Sequence, residues 1–141
     1  MKANSNTTNA VTKTINNLTD AYKTRGLDAV MECLVPDDDI SLIGAGADEV
    51  RVGLALIRTQ AERDWAQTDS IEMSFLPKSI SAAGQVAWVF AEGAFNIQTG
   101  GQGMTLPARA TSILENRSDQ WLIVHAHFST PTAGQEAGSS V

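Results

Sequence analysis

The chain has 141 residues, with ten Lys and Arg against sixteen Asp and Glu, giving a formal charge of −6 with both histidines neutral. An acidic surface without a basic run repels a phosphate backbone, which argues against nucleic acid as a partner. The longest uncharged stretches, Gly93 to Ala108 and Gln120 to Gln135, stop short of the ~18 apolar residues of a membrane helix, so no membrane partner is expected. A chain of this length can bury one continuous core without a disulfide or a structural metal.

Residues 1–8 and 132–141 are small, polar and without period, and are expected to be disordered tails around a single domain over residues 9–131. A lone cysteine, Cys33, and an N-terminus without an apolar secretory segment point to a reducing cytoplasm.

Taken in chain order, Val11, Ile15, Leu18 and Tyr22 recur at steps of four, three and four, one stripe of a helix that Lys23, Arg25 and Gly26 close. Leu27, Val30, Met31 and Leu34 repeat that spacing over a shorter second helix, which Pro36 stops. Asp37 to Asp39 read as a solvated turn, Ile40 to Ile43 as a strand, Gly44 to Ala47 as a break and Glu49 to Val52 as a second short strand. From Gly53 to Gln67, Leu54, Ile57, Ala61 and Trp65 share a face opposite Arg58 and Glu62, which predicts a third helix.

The period then changes from 3.6 to 2. Ile71, Met73 and Phe75 alternate before Pro77, and Val86 to Gln98, Met104 to Glu115 and Trp121 to Ser129 follow as longer strands between short polar turns. Helices first and a meander afterwards predict an α+β fold, a curved antiparallel sheet wrapped around three helices.

The last strand carries the most chemistry. Unbroken alternation places Trp121, Ile123, His125, His127 and Ser129 on one face and Leu122, Val124, Ala126 and Phe128 on the other. Two imidazoles beside Trp and Ile suggest a core that opens into a polar cavity, because a buried imidazole needs hydrogen-bond partners. Backbone or a second subunit would satisfy them equally well. Arg109 sits in the apolar run Leu106 to Leu114, where its guanidinium needs water, a carboxylate or an anionic ligand, and Glu92 on the preceding strand is a plausible internal partner.

The segments Tyr22 to Ala29, Val86-Ala87-Trp88-Val89 and Trp121 to Ser129, in this order of elements, resemble the SnoaL-like branch of the nuclear transport factor 2-like, or ketosteroid-isomerase-like, superfamily. The resemblance covers about Val11 to Ser129. The closing W-x-I-V-H-x-H-x-S pattern is also similar to the association domain of calcium/calmodulin-dependent kinases, which shares the fold. This resemblance implies a cone-shaped barrel with a pocket between sheet and helices, in a homodimer. It places His125 and His127 in the closing motif and Trp88 and Arg109 at recurrent positions.

The expected ligand-binding set is therefore Tyr22, Trp88, Glu92, Arg109, His125 and His127, with His125 or His127 as candidate general base and Tyr22 as candidate donor. The expected role is binding of a small metabolite bearing a carboxylate or carbonyl. An isomerase, dehydratase or cyclase with a histidine base is one alternative, and an oligomeric assembly module without ligand is another.

Metal and cofactor are not expected. Two histidines and one cysteine leave carboxylates alone to complete a transition-metal site. The run Gly44-Ala45-Gly46-Ala47-Asp48-Glu49 ends in Glu49 where a dinucleotide loop needs glycine. Cys33 lacks a base at nucleophile spacing and reads as a small apolar residue.

Overall fold

The computed structural model describes residues 1–141. Asn4 caps the first helix, α1 (Ser5–Lys23), by accepting a hydrogen bond from the Thr7 N–H at 2.9 Å. The helix α2 (Leu27–Glu32) follows after a tight turn in which Arg25 takes φ 60°. Two short strands, β1 (Ser41–Ile43) and β2 (Val50–Val52), precede α3 (Leu54–Gln67). Four long strands complete the chain: β3 (Ser70–Ala83), β4 (Val86–Thr99), β5 (Gln102–Arg117) and β6 (Gln120–Ser129).

The expected α+β class is what the chain adopts. The six strands form one sheet in the order β2-β1-β6-β5-β4-β3. It stays open, with β2 and β3 as its edges, and one pairing departs from the antiparallel expectation: β1 runs parallel to β6, with Ser41 beside His125 and Ile43 beside His127. That pair is separated by the whole meander, and the chain returns to β1 from the far side of the sheet.

Strand β3 runs through Pro77 instead of stopping before it. Proline is tolerated because β3 is an edge strand and the register slips there, leaving Lys78 unpaired between Pro77 and Ser79. The N-terminus also differs from the loose tail expected. Ala3 donates to Ile80 O at 3.1 Å, Met1 O accepts from Ala82 N at 2.8 Å, and Ala3 is buried. Residues 1–3 thus pair antiparallel alongside the outer edge of β3, with Lys2 opposite Ser81. Beyond Ser129 the chain forms turns without helix or strand.

The core lies between the helices and one face of the sheet. Val11 from α1 and Ile57 from α3 meet Ala87 and Val89 of β4, Leu114 of β5, and Trp121, Ile123 and Ala126 of β6. Asp37, at the start of the turn read from sequence as solvated, keeps a side chain 39% exposed and also receives two hydrogen bonds from Arg117, at 2.7 and 2.5 Å. The guanidinium holds its carboxyl below the usual range, chiefly through those hydrogen bonds.

The faces of β6 are set by a bulge. Leu114 pairs with Ile123 while Ile113 pairs with His125, so Val124 has no partner on β5. Two residues span the space of one, and alternation restarts out of phase. Trp121 and Ile123 face the core, and so do Ala126 and Phe128. His125, His127 and Ser129 face away.

Candidate functional site

Helix α3 carries two polar residues on its buried stripe. Gln60 and Asp64 are one turn apart, interleaved with the buried Ile57 and Ala61, and the spacing of 57, 60, 61 and 64 aims all four at the sheet. The end of α1 brings Tyr22 against them. Its hydroxyl donates to Asp64 Oδ2, while Gln60 Nε2 donates to Asp64 Oδ1 at 2.7 Å and to Glu49 Oε1 at 3.3 Å.

This arrangement is braced from behind. Trp65 Nε1 donates to Tyr22 O at 3.0 Å, and the two rings lie 5.4 Å apart. Arg25 donates to the carbonyls of Trp65, Thr68 and Asp69 at 2.6, 2.8 and 2.7 Å, which caps the C-terminal end of α3 from the neighbouring turn. The left-handed backbone at Arg25 is thus held by three hydrogen bonds. Trp65 belongs to the packing of the helix ends, and Trp121 to the core.

The glycine-rich break between β1 and β2 cradles a carboxylate. Gly46 N donates to Glu49 Oε2 at 3.0 Å. A Cβ at Gly44 would lie 2.0 Å from Glu49 Oε2 and one at Gly46 2.7 Å from Glu49 Cδ, so both glycines leave the space that this side chain fills. Arg63 reaches Glu49 Oε1 at 3.4 Å and also grips Asp48 at 2.8 Å, from outside.

These groups form one end of a cavity of about 380 Å³ enclosed by the three helices and the inner face of the sheet. Its walls are Leu18, Leu42, Ile71, Met73, Phe95, Ile97, Leu106, Ile123 and Phe128, and its lining holds no Lys, Arg or His. Phe75 packs edge to face on Phe95 and Phe128, which are tilted against each other, with centroids 5.5 to 5.9 Å apart.

Low polarity governs the ionisable groups. Burial raises the Asp64 pKa, and the negative charge of Glu49 adds to the rise, against the opposing effect of hydrogen bonds from Tyr22 and Gln60. Burial and the charge of Asp64 push the Tyr22 hydroxyl far above its ordinary value, so it stays protonated as a donor. Chemically, the arrangement offers a half-buried carboxylate fixed between two neutral donors, which can accept a proton or a hydrogen bond from a molecule in the cavity.

Of the side chains expected at the site, Tyr22 lines this cavity. The other five lie on the opposite face of the sheet, so the expectation that the two imidazoles look into the hollow beneath the helices is corrected. The bulge at Val124 is the cause. His125 Nδ1 lies 2.7 Å from Ser41 Oγ, the His125 and His127 rings are 6.5 Å apart, and they share a shallow outer cleft with Arg109, Thr111 and Ser129.

Glu92 and Arg109 are cross-strand neighbours, as expected. Yet Glu92 pairs with Lys78 at 3.7 Å, and Arg109 donates to Thr130 O at 3.5 Å. Trp88 stands opposite Ile113 on that outer face. Cys33 closes α2 as a buried residue with its thiol pushed up to about 11, mainly by burial, and so behaves as the apolar residue expected.

Asp64, Gln60 and Glu49 were absent from the expected set. The signal for the first two was present in the sequence as polar residues at 60 and 64 on a stripe that is otherwise apolar.

A bent open sheet that encloses a mainly apolar cavity beneath three helices, with one polar end, defines a class of α+β domain built around an interior site. The chain belongs to the SnoaL-like domain family, whose model matches residues 11–133. No curated protein matches its sequence.

Among solved structures, it is similar to a nuclear transport factor 2-like superfamily protein from Salmonella enterica serovar Typhimurium (17% identity, 92% of this chain and 94% of that one, TM-score 0.79). It is also similar to a candidate dehydratase of the nuclear transport factor 2-like family from Streptomyces avermitilis (17% identity, 89% and 97%, TM-score 0.78). A protein of unknown function with a cystatin-like fold from Nostoc punctiforme is similar as well (7% identity, 94% and 97%, TM-score 0.76). At these identities the likeness is one of fold.

Proposed function

We propose that this SnoaL-like domain binds a small, mainly apolar organic molecule in the cavity between its helices and sheet, with Tyr22, Gln60 and Asp64 meeting the molecule's polar group. The observation that carries this reading is the half-buried Asp64 carboxylate, hydrogen-bonded by Tyr22 and Gln60, at the end of an apolar hollow of about 380 Å³. Folding alone gains little from a partly buried carboxylate there, and the volume falls within the range of small-molecule sites. A lining without Lys, Arg or His weighs against a carboxylate-bearing ligand.

Acid–base turnover is a second reading, favoured by the raised Asp64 pKa. Asp64 then takes the role of base that the sequence suggested for histidine, with Tyr22 as its donor. The likeness to the Streptomyces protein extends to fold and lends no residue to this assignment.

Asp64→Asn tests the reading. The folded chain holds a proton on Asp64 at pH values where the unfolded chain, with its carboxyl near ~3.9, has released it. The stability this contributes is complete below the unfolded value and is lost as pH rises through the folded one. Above the folded value the ionised side chain is therefore a liability, and Asp64→Asn should raise Tm there while weakening the thermal shift given by a molecule whose polar group meets Asp64. The Tm gain should shrink as pH falls into the carboxylate range. A variant no more stable than the parent at pH 7 that retains ligand shifts would contradict the proposal.

Homodimerisation through the outer face of the sheet is proposed alongside. Val50 is 63% exposed, Val52 53% and Phe90 39%, next to the half-buried Trp88, Ile43 and Ile113. Register places all of them on the face that no helix covers, on either side of a strip formed by His125, His127 and Thr111, and large exposed apolar side chains gathered on one sheet face suit an interaction site. Light scattering should give twice the chain mass for the parent and the single mass for Phe90→Glu. A parent that is monomeric at high concentration would rule this surface out.

A further inference from the structure

Resting on the cavity reading above, the hydrogen-bond inventory at the polar end specifies what the ligand must bring. Tyr22 has one hydroxyl proton, and it goes to Asp64. Both Gln60 Nε2 contacts are to carboxylates, Asp64 and Glu49. The Gly46 N–H and one Arg63 N–H are also directed at Glu49. Each donor of Tyr22 and Gln60, and each one directed at Glu49, is thus committed to a carboxylate, and what remains spare around Gln60 is an acceptor; Gln67 and Thr130 line the cavity elsewhere.

The least satisfied acceptor is Gln60 Oε1. It belongs to a residue only 5% exposed and has no donor within hydrogen-bond distance, a costly condition for a buried amide oxygen. Rotating the amide by half a turn does not relieve it, because the oxygen would then face two carboxylates and the Nε2 donors would be lost to both. The orientation is fixed by its neighbours, and so is the shortage of donors.

We infer that the ligand of this cavity carries a hydrogen-bond-donating head group, a hydroxyl or an amine, on an apolar frame, and that Gln60 is the residue that selects it. The head group enters the polar end, gives one hydrogen bond to Gln60 Oε1 and leaves its frame against Phe95, Phe128 and the aliphatic wall. An anionic head group is disfavoured at Gln60 by the same inventory, since it adds an acceptor beside two carboxylates and meets no free donor on Tyr22 or Gln60.

Four naphthalenes of matched shape test the inference by titration calorimetry with the full chain: 2-naphthylmethanol, 2-naphthylmethylamine, 2-ethylnaphthalene and 2-naphthoate. The alcohol and the amine should bind at least tenfold more tightly than the ethyl compound, with the naphthoate weakest. A further gain of the amine over the alcohol would assign the preference to positive charge as well as to donation, whereas equality would assign it to donation alone. Gln60→Leu should bring the donor compounds to within threefold of 2-ethylnaphthalene.

If 2-ethylnaphthalene binds the parent as tightly as the two donors, or if Gln60→Leu keeps their full advantage, the donor inference fails while the cavity reading stands. If none of the four binds, the cavity reading fails and takes the inference with it. The parent comparison needs no variant, so it decides the matter even if Gln60→Leu does not fold.

Discussion

Gly93→Ala should cost about 3 kcal/mol or more of stability, at the upper end of single-residue effects, and lower Tm by on the order of 10 °C. Gly93 of β4 pairs with Phe75 on one side and Ala108 on the other. A Cβ there would lie 1.9 Å from Ser74 O and 2.8 Å from Phe75 Cα. Both are backbone atoms that cannot rotate away, so β3 and β4 would have to separate close to the register slip at Pro77. The same movement would pull Phe75 out of its packing with Phe95 and Phe128, and with it part of the cavity wall.

Gly84→Ala is the matched control. Gly84 has φ 58° and nothing within 4 Å of its added carbon, so it should lose only the ~1 kcal/mol of a strained turn position. Urea denaturation of the two variants separates a backbone collision from a loss of conformational freedom. Equal, small losses would show that the sheet does not need its close approach at Gly93.

The helices and strands were legible in the sequence because each buries a face with its own period. Val11, Ile15 and Leu18 could occupy one stripe only as a helix, and Ile71, Met73 and Phe75 could share a face only as a strand. What the periods could not carry is an interruption. Reading period two straight through β6 puts His125 and His127 with Ile123, and nothing in the residue types around Val124 announces an unpaired position. The bulge exists because both Ile123 and Ala126 must be inside, and that requirement comes from β5 and the helices.

Gln60 and Asp64 escaped for the opposite reason. Their positions were readable, but a search for apolar residues along α3 passes over polar ones on the same stripe. Glu49 and its two glycines form a contact within six residues that resembles an ordinary loop until the carboxylate is seen to fill the space. The Arg117 and Asp37 pair joins residues 80 apart, and no local pattern encodes it.

The faces of β6 can be tested directly. Ile123→Ala should cost about 3 kcal/mol, within the range for truncating a buried isoleucine, because Ile123 is 1% exposed and packs in the main core. The cost should be compounded by the cavity it already lines, since removing three carbons beside an existing hollow leaves neighbours with little to collapse onto. His127→Ala, four positions along the same strand, should change stability by no more than about 0.5 kcal/mol in dilute protein, as befits an exposed side chain. With unbroken alternation, the two side chains would share one buried face and both substitutions would be severe. The contrast therefore measures the bulge itself: comparable losses at positions 123 and 127 would return the imidazoles to the core, and a small loss at Ile123 would take the strand out of the cavity wall.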